Sequence, residues 1–236
     1  MKSIEGLPPG QKEFQIFPRF GLPQYADRFP SEIDTISLSI GGDIEDFEIG
    51  QELNSLSRID QTSNFHCVTT WSKLNLNWSG YLFSDFYTTF IQPKTSEETT
   101  HVVFKAQDGY KTSLPLSDLM EADVLLADTL DDSPLGIEHG APIRIVAPGH
   151  YGYKNIKHIK RIEFYSEPIV LKRGMLGFMD HPRARVAYEE RTVSGPAILF
   201  RYLYRFGIKG TIRDFEKAMA KYKLELEQSN TDIGIT

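Results

Sequence analysis

The chain has 236 residues, 40% of them hydrophobic, and a formal net charge of −6, which is enough to bury one sizeable core. Residues 1–156 carry 11 Lys/Arg against 22 Asp/Glu and residues 157–236 carry 15 against 10, so the acidic front excludes general nucleic-acid binding. One cysteine excludes an internal disulfide framework and a four-thiolate metal site.

In chain order, residues 1–31 are rich in Pro and Gly and read as an extended arm. No signal-peptide pattern opens that arm, and no run of ~18 apolar residues follows that would span a membrane. The protein is therefore expected to be soluble and cytoplasmic. Residues 35–40 alternate strictly and predict a half-buried strand, with Gly41, Gly42 and Asp43 as its turn. A short strand is expected at residues 47–49, a helical turn or two at 51–56, and a longer strand at 58–65. Residues 75–78 suggest another strand or loop. Leu82, Phe83, Phe86 and Phe90 have helical spacing. Residues 101–106 predict a strand and 107–109 a hairpin turn. A short helix is expected at 114–120, and strands at 123–127 and 143–146.

Beyond Ser166 the composition changes. Residues 179–191 are dense in charge and read as a solvated connector, although their arginines also suit an anion pocket. Residues 196–206 place Ile198, Leu199, Tyr202, Leu203 and Phe206 on one helical side and Arg201 and Arg205 on another, with Gly207 and Gly210 as the stop. A capping-box pattern at Thr211 to Asp214 predicts a second helix to about Glu227, striped by Phe215, Met219, Tyr222 and Leu226. The stripe suits core packing, or docking of a partner or a second copy. The tail after Gln228 is expected to fray.

Two stretches carry chemistry. Asn64-Phe65-His66-Cys67-Val68-Thr69-Thr70-Trp71-Ser72 surrounds the lone cysteine with polar groups. A lone cysteine is ordinarily an apolar filler, but in this setting it also suits a soft metal ligand or a nucleophile. His139-Gly140-Ala141-Pro142-Ile143-Arg144-Ile145-Val146-Ala147-Pro148-Gly149 sets an arginine in the middle of a strand. An acid or an anionic ligand is expected to face it, because burying it unpaired is costly. Asn155, Ile156 and Lys157 then offer backbone N–H groups and an ammonium to a phosphate.

Phe-His-Cys-Val-Thr-Thr-Trp-Ser-Lys with Trp78-Ser79-Gly80, followed by His-Gly-x-Pro-x-Arg, Pro-Gly and Lys157, resembles the sulfite oxidase family of molybdopterin-binding oxidoreductases, over roughly residues 15–165. The similarity is greatest to short bacterial members without a haem domain. It implies an α+β fold of the sulfite oxidase type, with mixed β-sheets and short helices, as a molybdopterin-binding domain over residues 1–165. Residues 166–236 would then be a C-terminal extension with two helices.

The resemblance also implies Cys67 as catalytic metal ligand. Arg19, His139, Arg144, Asn155, Ile156 and Lys157 would hold molybdopterin and its phosphate. Two-electron oxygen-atom transfer on a small-molecule substrate, with an unidentified electron donor or acceptor, is the activity implied. There are departures from the family pattern. Phe20 stands where Asn is usual, and Ala106 stands where the methionine-sulfoxide reductase branch has Thr. Tyr153 and Tyr188 are both candidates for the substrate-pocket tyrosine. The dimerisation domain of larger members has no counterpart in these residues, which leaves the C-terminal helices as the route to a homo-oligomer. Two other classes compete: a non-catalytic binding or assembly protein that uses its basic helical C-terminus, and a Cys67–His66 hydrolase or thiol enzyme. Adjacent strand residues point to opposite faces, which disfavours the Cys–His pair.

Overall fold

This computed structural model describes residues 7–95, 98–169, 171 and 180–232, and eleven strands form among them. They are β1 (Lys12–Glu13), β2 (Leu38–Gly42), β3 (Phe47–Ile49), β4 (Arg58–His66), β5 (Trp71–Leu82), β6 (His101–Ala106), β7 (Lys111–Pro115), β8 (Leu125–Leu130), β9 (Ser133–Pro134), β10 (Arg144–Val146) and β11 (Ile159–Tyr165). Short helices α1 (Phe83–Phe86) and α2 (Leu116–Leu119) connect strands, and α3 (Ala197–Leu203) and α4 (Ile208–Asp232) follow the sheets. Among the described residues, no helix is long and apolar enough to cross a membrane.

One sheet is organised on β5. β4 pairs antiparallel with it, β1 runs parallel to its start, and β8 runs antiparallel to its end and carries β9 and β10. The other sheet has the order β3-β2-β11-β6-β7, with β2 and β11 parallel. Leu38 and Ile40 of β2, Val102 and Phe104 of β6, and Ile162 and Phe164 of β11 meet Tyr81, Leu126 and Ile145 of the β5 sheet in one core, closed by Phe83 and Phe86 of α1. Each such buried side chain is worth about 1.5–3 kcal/mol relative to exposure. A smaller cluster around Leu76, Trp78, Leu125 and Val146 receives Phe17 from the arm and Phe65 from β4.

Several elements differ from the sequence reading for identifiable reasons. β2 starts at Leu38 and continues through Gly41 and Gly42, where a turn was expected. Gly42 has φ +105°, and a Cβ there would collide with the Phe164 carbonyl, so glycine permits the close parallel pairing with β11. The helix expected at 114–120 begins only at Leu116, because Pro115 is extended and ends β7. Of the two glycines expected to stop the first helix, only Gly207 falls where that helix gives way to α4. Gly207 ends a 3-10 turn (Tyr204–Gly207), Gly210 lies inside α4, and Thr211 is in mid-helix rather than a cap. Both glycines face open space, so each costs only about 1 kcal/mol. Burial of Phe215, Ala218 and Met219, and the stack of Tyr222 on Phe29 at 4.0 Å, hold the helix. It runs past Gln228 to Asp232, where fraying was expected.

The charge-dense segment is packed rather than solvated; its first residue, Met179, lies outside the described residues. Ala184, Val186 and Arg191 are buried, Arg183 pairs with Asp118, and Arg185 pairs with Glu190. α3 is turned opposite to expectation: Arg201 and Arg205 face the protein, while Ile198, Leu199, Tyr202, Leu203 and Phe206 are exposed.

Candidate functional site

Cys67 lies in the tight turn that joins β4 to β5. Its N–H donates to the Trp71 carbonyl at 2.8 Å, and Thr70 N–H donates to the Cys67 carbonyl at 3.0 Å. Thr70 accepts φ 76° to close the turn. The arm braces this hairpin from outside: Gln11 Nε2 donates to the Cys67 carbonyl at 3.0 Å, and Gln11 Oε1 accepts from Ser72 Oγ at 3.2 Å. Because Ser72 gives its proton to Gln11, the 2.8 Å contact between Ser72 Oγ and His66 Nδ1 requires a protonated Nδ1. The His66 ring is thereby committed to Ser72, and burial pushes its pKa down to about 4. The Cys67 sulfur has a different neighbour, Thr69 Oγ1 at 3.1 Å. Burial pushes the thiol up, against the Thr69 hydrogen bonds and the charges of Arg191 and Lys157. A Cys–His proton pair is thus not what the hairpin builds.

The sulfur borders a cavity of about 160 Å³ lined largely by aromatic rings, among them Phe17, Phe20, Phe65, Trp71 and Phe215. Of the residues anticipated from the sequence, Cys67, Arg19, Asn155, Ile156 and Lys157 line this one space. Tyr153 lines it too, whereas Tyr188 is 69% exposed.

Two groups supply positive charge. Lys157 Nζ donates to the Glu138 carbonyl at 2.6 Å, and burial, reinforced by Arg144 and Arg19, lowers its pKa to about 7. Arg19 donates to the carbonyls of Ala26 at 2.7 Å and Arg28 at 3.0 Å, with its guanidinium over the rings of Phe29 and Phe215. The N–H groups of Asn155 and Ile156 are spent on the carbonyls of Gly152 and Lys154, so they are not the phosphate donors expected. The Asn155 side chain is likewise spent, binding the backbone of Ala147 and His150.

His139 and Arg144 stand behind the wall. Arg144 is fully buried and donates to the carbonyls of His139 at 2.8 Å, Asn155 at 3.2 Å and Ile145 at 3.3 Å. Among the described residues no acid pairs with it, and these carbonyls and the Trp78 ring at 4.9 Å surround the guanidinium instead. Burial holds its pKa down at about 9. His139 stacks flat on Phe17 at 4.8 Å, and its buried Nδ1 has no partner among the described residues.

The sequence reading missed several contributors. Gln11 and His158 had no motif to mark them. Trp71 lines the cavity and carries a buried indole N–H without a partner among the described residues. Arg191 is fully buried and donates to the carbonyls of Val68 at 2.7 Å and Pro9 at 3.0 Å, tying the Cys67 turn to the arm. Its contacts lie 123 and 182 residues away in sequence, out of reach of any local pattern.

The donor set limits what the cavity can hold. Among the described residues no cluster of three or more His, Cys, Asp or Glu side chains could hold a metal. A metal at Cys67 must therefore bring most of its ligands with it. One soft sulfur, an unpartnered Trp71 N–H and the cations Lys157 and Arg19 together fit a metal carried by an anionic organic group.

A family model described as "Oxidoreductase molybdopterin binding domain" matches residues 27–170. The chain is 30% identical over 164 residues to "Uncharacterized oxidoreductase YuiH" of Bacillus subtilis (strain 168), a match covering 68% of this chain and 80% of that protein. It is 26% identical over 191 residues to "Protein-methionine-sulfoxide reductase catalytic subunit MsrP" of Xanthomonas campestris pv. campestris, covering 70% of this chain and 59% of the reductase. It therefore spans a little over half of the latter. Among solved structures, the sulfane dehydrogenase SoxCD from Paracoccus pantotrophus matches with a TM-score of 0.53 at 20% identity, over 63% of this chain and 43% of that one, and shares the fold.

Proposed function

The chain belongs to the family of oxidoreductases built on a molybdopterin-binding domain, and we propose that it transfers an oxygen atom to or from a small substrate at a molybdenum centre ligated by Cys67. The observation that carries this reading is the placement of the sulfur, Lys157 and Arg19 on one aromatic cavity whose described surroundings offer no other metal cluster. When bound, molybdopterin supplies the two-electron chemistry of the metal through its dithiolene sulfurs.

The chain's own residues bind and orient. The β4–β5 turn fixes the Cys67 sulfur, with Thr69 as its hydrogen-bond partner. Lys157 and Arg19 would hold the anionic end of the cofactor, Trp71 would offer an N–H that has no partner among the described residues, and the aromatic rings would exclude water. Arg144 and His139 act at one remove: Arg144 by fixing the 155–157 loop, His139 by stacking on Phe17. The division into a cofactor unit, residues 1–165, and an extension, 166–236, belongs to the same proposal, as does a cytoplasmic location.

The relative named as a methionine-sulfoxide reductase makes a sulfoxide the first substrate to try. Reduction of a sulfoxide would consume two electrons from an external donor and two protons, releasing the sulfide and water. The test is metal analysis of protein from a cofactor-competent host, followed by assays on sulfoxides, N-oxides and sulfite with artificial electron donors or acceptors. Molybdenum near one per chain with turnover is expected. Metal-free protein from such a host would favour a binding or assembly protein on the same scaffold.

A further inference from the structure

α3 is amphipathic, and it is mounted inside out. Its inner side is anchored by polar contacts: Arg201 ion-pairs with Glu189, and Arg205 donates to Thr70 Oγ1 at 3.1 Å and to the Gly10 carbonyl at 2.8 Å. Phe200 and Tyr204 pack beneath it with Tyr151 and Val186. These contacts fix which way the helix faces, so its outward side is a built surface rather than a frayed end. On that side Ile198, Leu199, Tyr202 and Leu203 are each 55–59% exposed, and Phe206 is 88% exposed. Clustered apolar side chains of this size on a surface mark an interaction site.

Charge points to the occupant. Between Glu190 and Asp214 there is no acidic residue; Arg191, Arg201 and Arg205 are buried or turned inward, which leaves Lys209 and Arg213 as the outward cations, with Asp214 3.8 Å from Arg213. Lys209 and Arg213 are exposed, and they follow Phe206 at three and seven residues, continuing the Tyr202–Phe206 stripe in helical register. A lipid headgroup layer supplies phosphates for the cations and an apolar boundary for the Ile, Leu and Phe side chains, with Tyr202 able to keep its hydroxyl in water.

We infer that the outward face of α3 and of the turn after it, from Ile198 to Phe206, together with Lys209 and Arg213 at the start of α4, docks on an anionic lipid surface. The helix lies along the interface and spans nothing. This holds whether or not the cofactor assignment does, because every residue it uses is outside the cavity.

The test is flotation of the full chain with vesicles of phosphatidylcholine alone and of phosphatidylcholine mixed with phosphatidylglycerol, alongside size-exclusion chromatography with light scattering. Wild-type protein is expected to float with the anionic vesicles and to be released by salt. Phe206→Asp should lower partitioning at least about ten-fold, and Lys209→Gln about five-fold. Both residues are exposed, so neither change threatens folding. Failure to float with the anionic vesicles, equal binding to the neutral ones, or binding unchanged by Phe206→Asp would overturn the inference. So would a dimer that Phe206→Asp splits.

Discussion

Around Cys67 the polar groups are satisfied by one another: Gln11, Ser72 and His66 form a neutral chain, and the turn closes its own backbone bonds. Around Lys157 the balance is different. Arg144 and Arg19 lie close enough to depress Lys157, and the hydrogen bonds of all three cations go to carbonyl oxygens, with Asp108 on the cavity wall and Glu138 offsetting the charge only in part. The sulfur wall is therefore stable as it stands, whereas the cation wall holds charge that an anion would relieve. The comparison teaches that the hairpin is a rigid mount and the 155–158 loop a preloaded receptor, and each can be broken separately.

The largest effect is expected at the mount. Cys67→Ser should cut molybdenum content and turnover by at least about 100-fold, since losing a ligand exceeds the 10–100-fold effect of losing an outer partner. Folding stability should change by less than about 1 kcal/mol, because the sulfur makes one hydrogen bond and serine nearly fills its volume. Metal analysis and a urea titration on the same sample separate the two outcomes.

Second is the acid limit of the receptor wall. His158 is buried, donates Nδ1–H to the Ala141 carbonyl at 2.7 Å, and is held at about 3, first by burial and then by the charges of Lys157, Arg19 and Arg144. The unfolded ring takes a proton near pH 6.5 while the folded ring does not, so stability is full above 6.5 and is lost as pH falls toward 3. His66 and His139, held near 4 by burial, add to the same loss, so the share of this ring, about 3 kcal/mol by pH 4, is read as the difference in denaturant midpoints between wild type and His158→Asn. Parallel profiles of the two proteins between pH 6.5 and 4 would mean the ring titrates freely.

Third, Lys157→Met should weaken cofactor binding about 10–100-fold yet stabilise the apoprotein by about 1–3 kcal/mol. The sign follows from the lowered pKa. Between about 7 and 10.5 the unfolded lysine holds a proton that the folded one releases, so wild-type stability rises with pH across that window and the variant lacks the rise. A variant less stable than wild type would show that the Glu138 contact outweighs the charge.

Legibility in the sequence followed the range of the contacts. β3 and β4 were readable because alternation is local, β6 because it is a short apolar run, and the strand–turn setting of Cys67 was readable for the same local reason. Arg19 and Lys157 could be proposed from motif spacing, but their aromatic and carbonyl partners are set by the fold. The inverted face of α3 could not be read, since its apolar stripe has the same period whichever side is buried. What decides the side is Arg205 reaching Thr70 and Gly10, 135 and 195 residues away. Glycines misled twice. In β2 glycine serves a close approach to β11, and in the C-terminal helix it meets nothing at all.

The smallest effect tests whether the mount is braced by the arm or stands alone. Among the described residues Gln11 is the one arm side chain bonded both to the Cys67 carbonyl and to Ser72, and Ser72 in turn fixes His66. Gln11→Ala removes a donor and an acceptor from buried partners and should cost about 1–2 kcal/mol. If the arm braces the turn, amide exchange at residues 66–72 should quicken in the variant while β2 and β11 exchange as before, because the damage is local opening rather than loss of the core. The β4–β5 ladder and the Arg191 bond to Val68 survive the change, so molybdenum content should fall only modestly. Unchanged exchange at 66–72 would instead assign the rigidity of the sulfur to the hairpin and Arg191 alone, and would reduce the arm's part to lining the cavity with Phe17, Arg19 and Phe20.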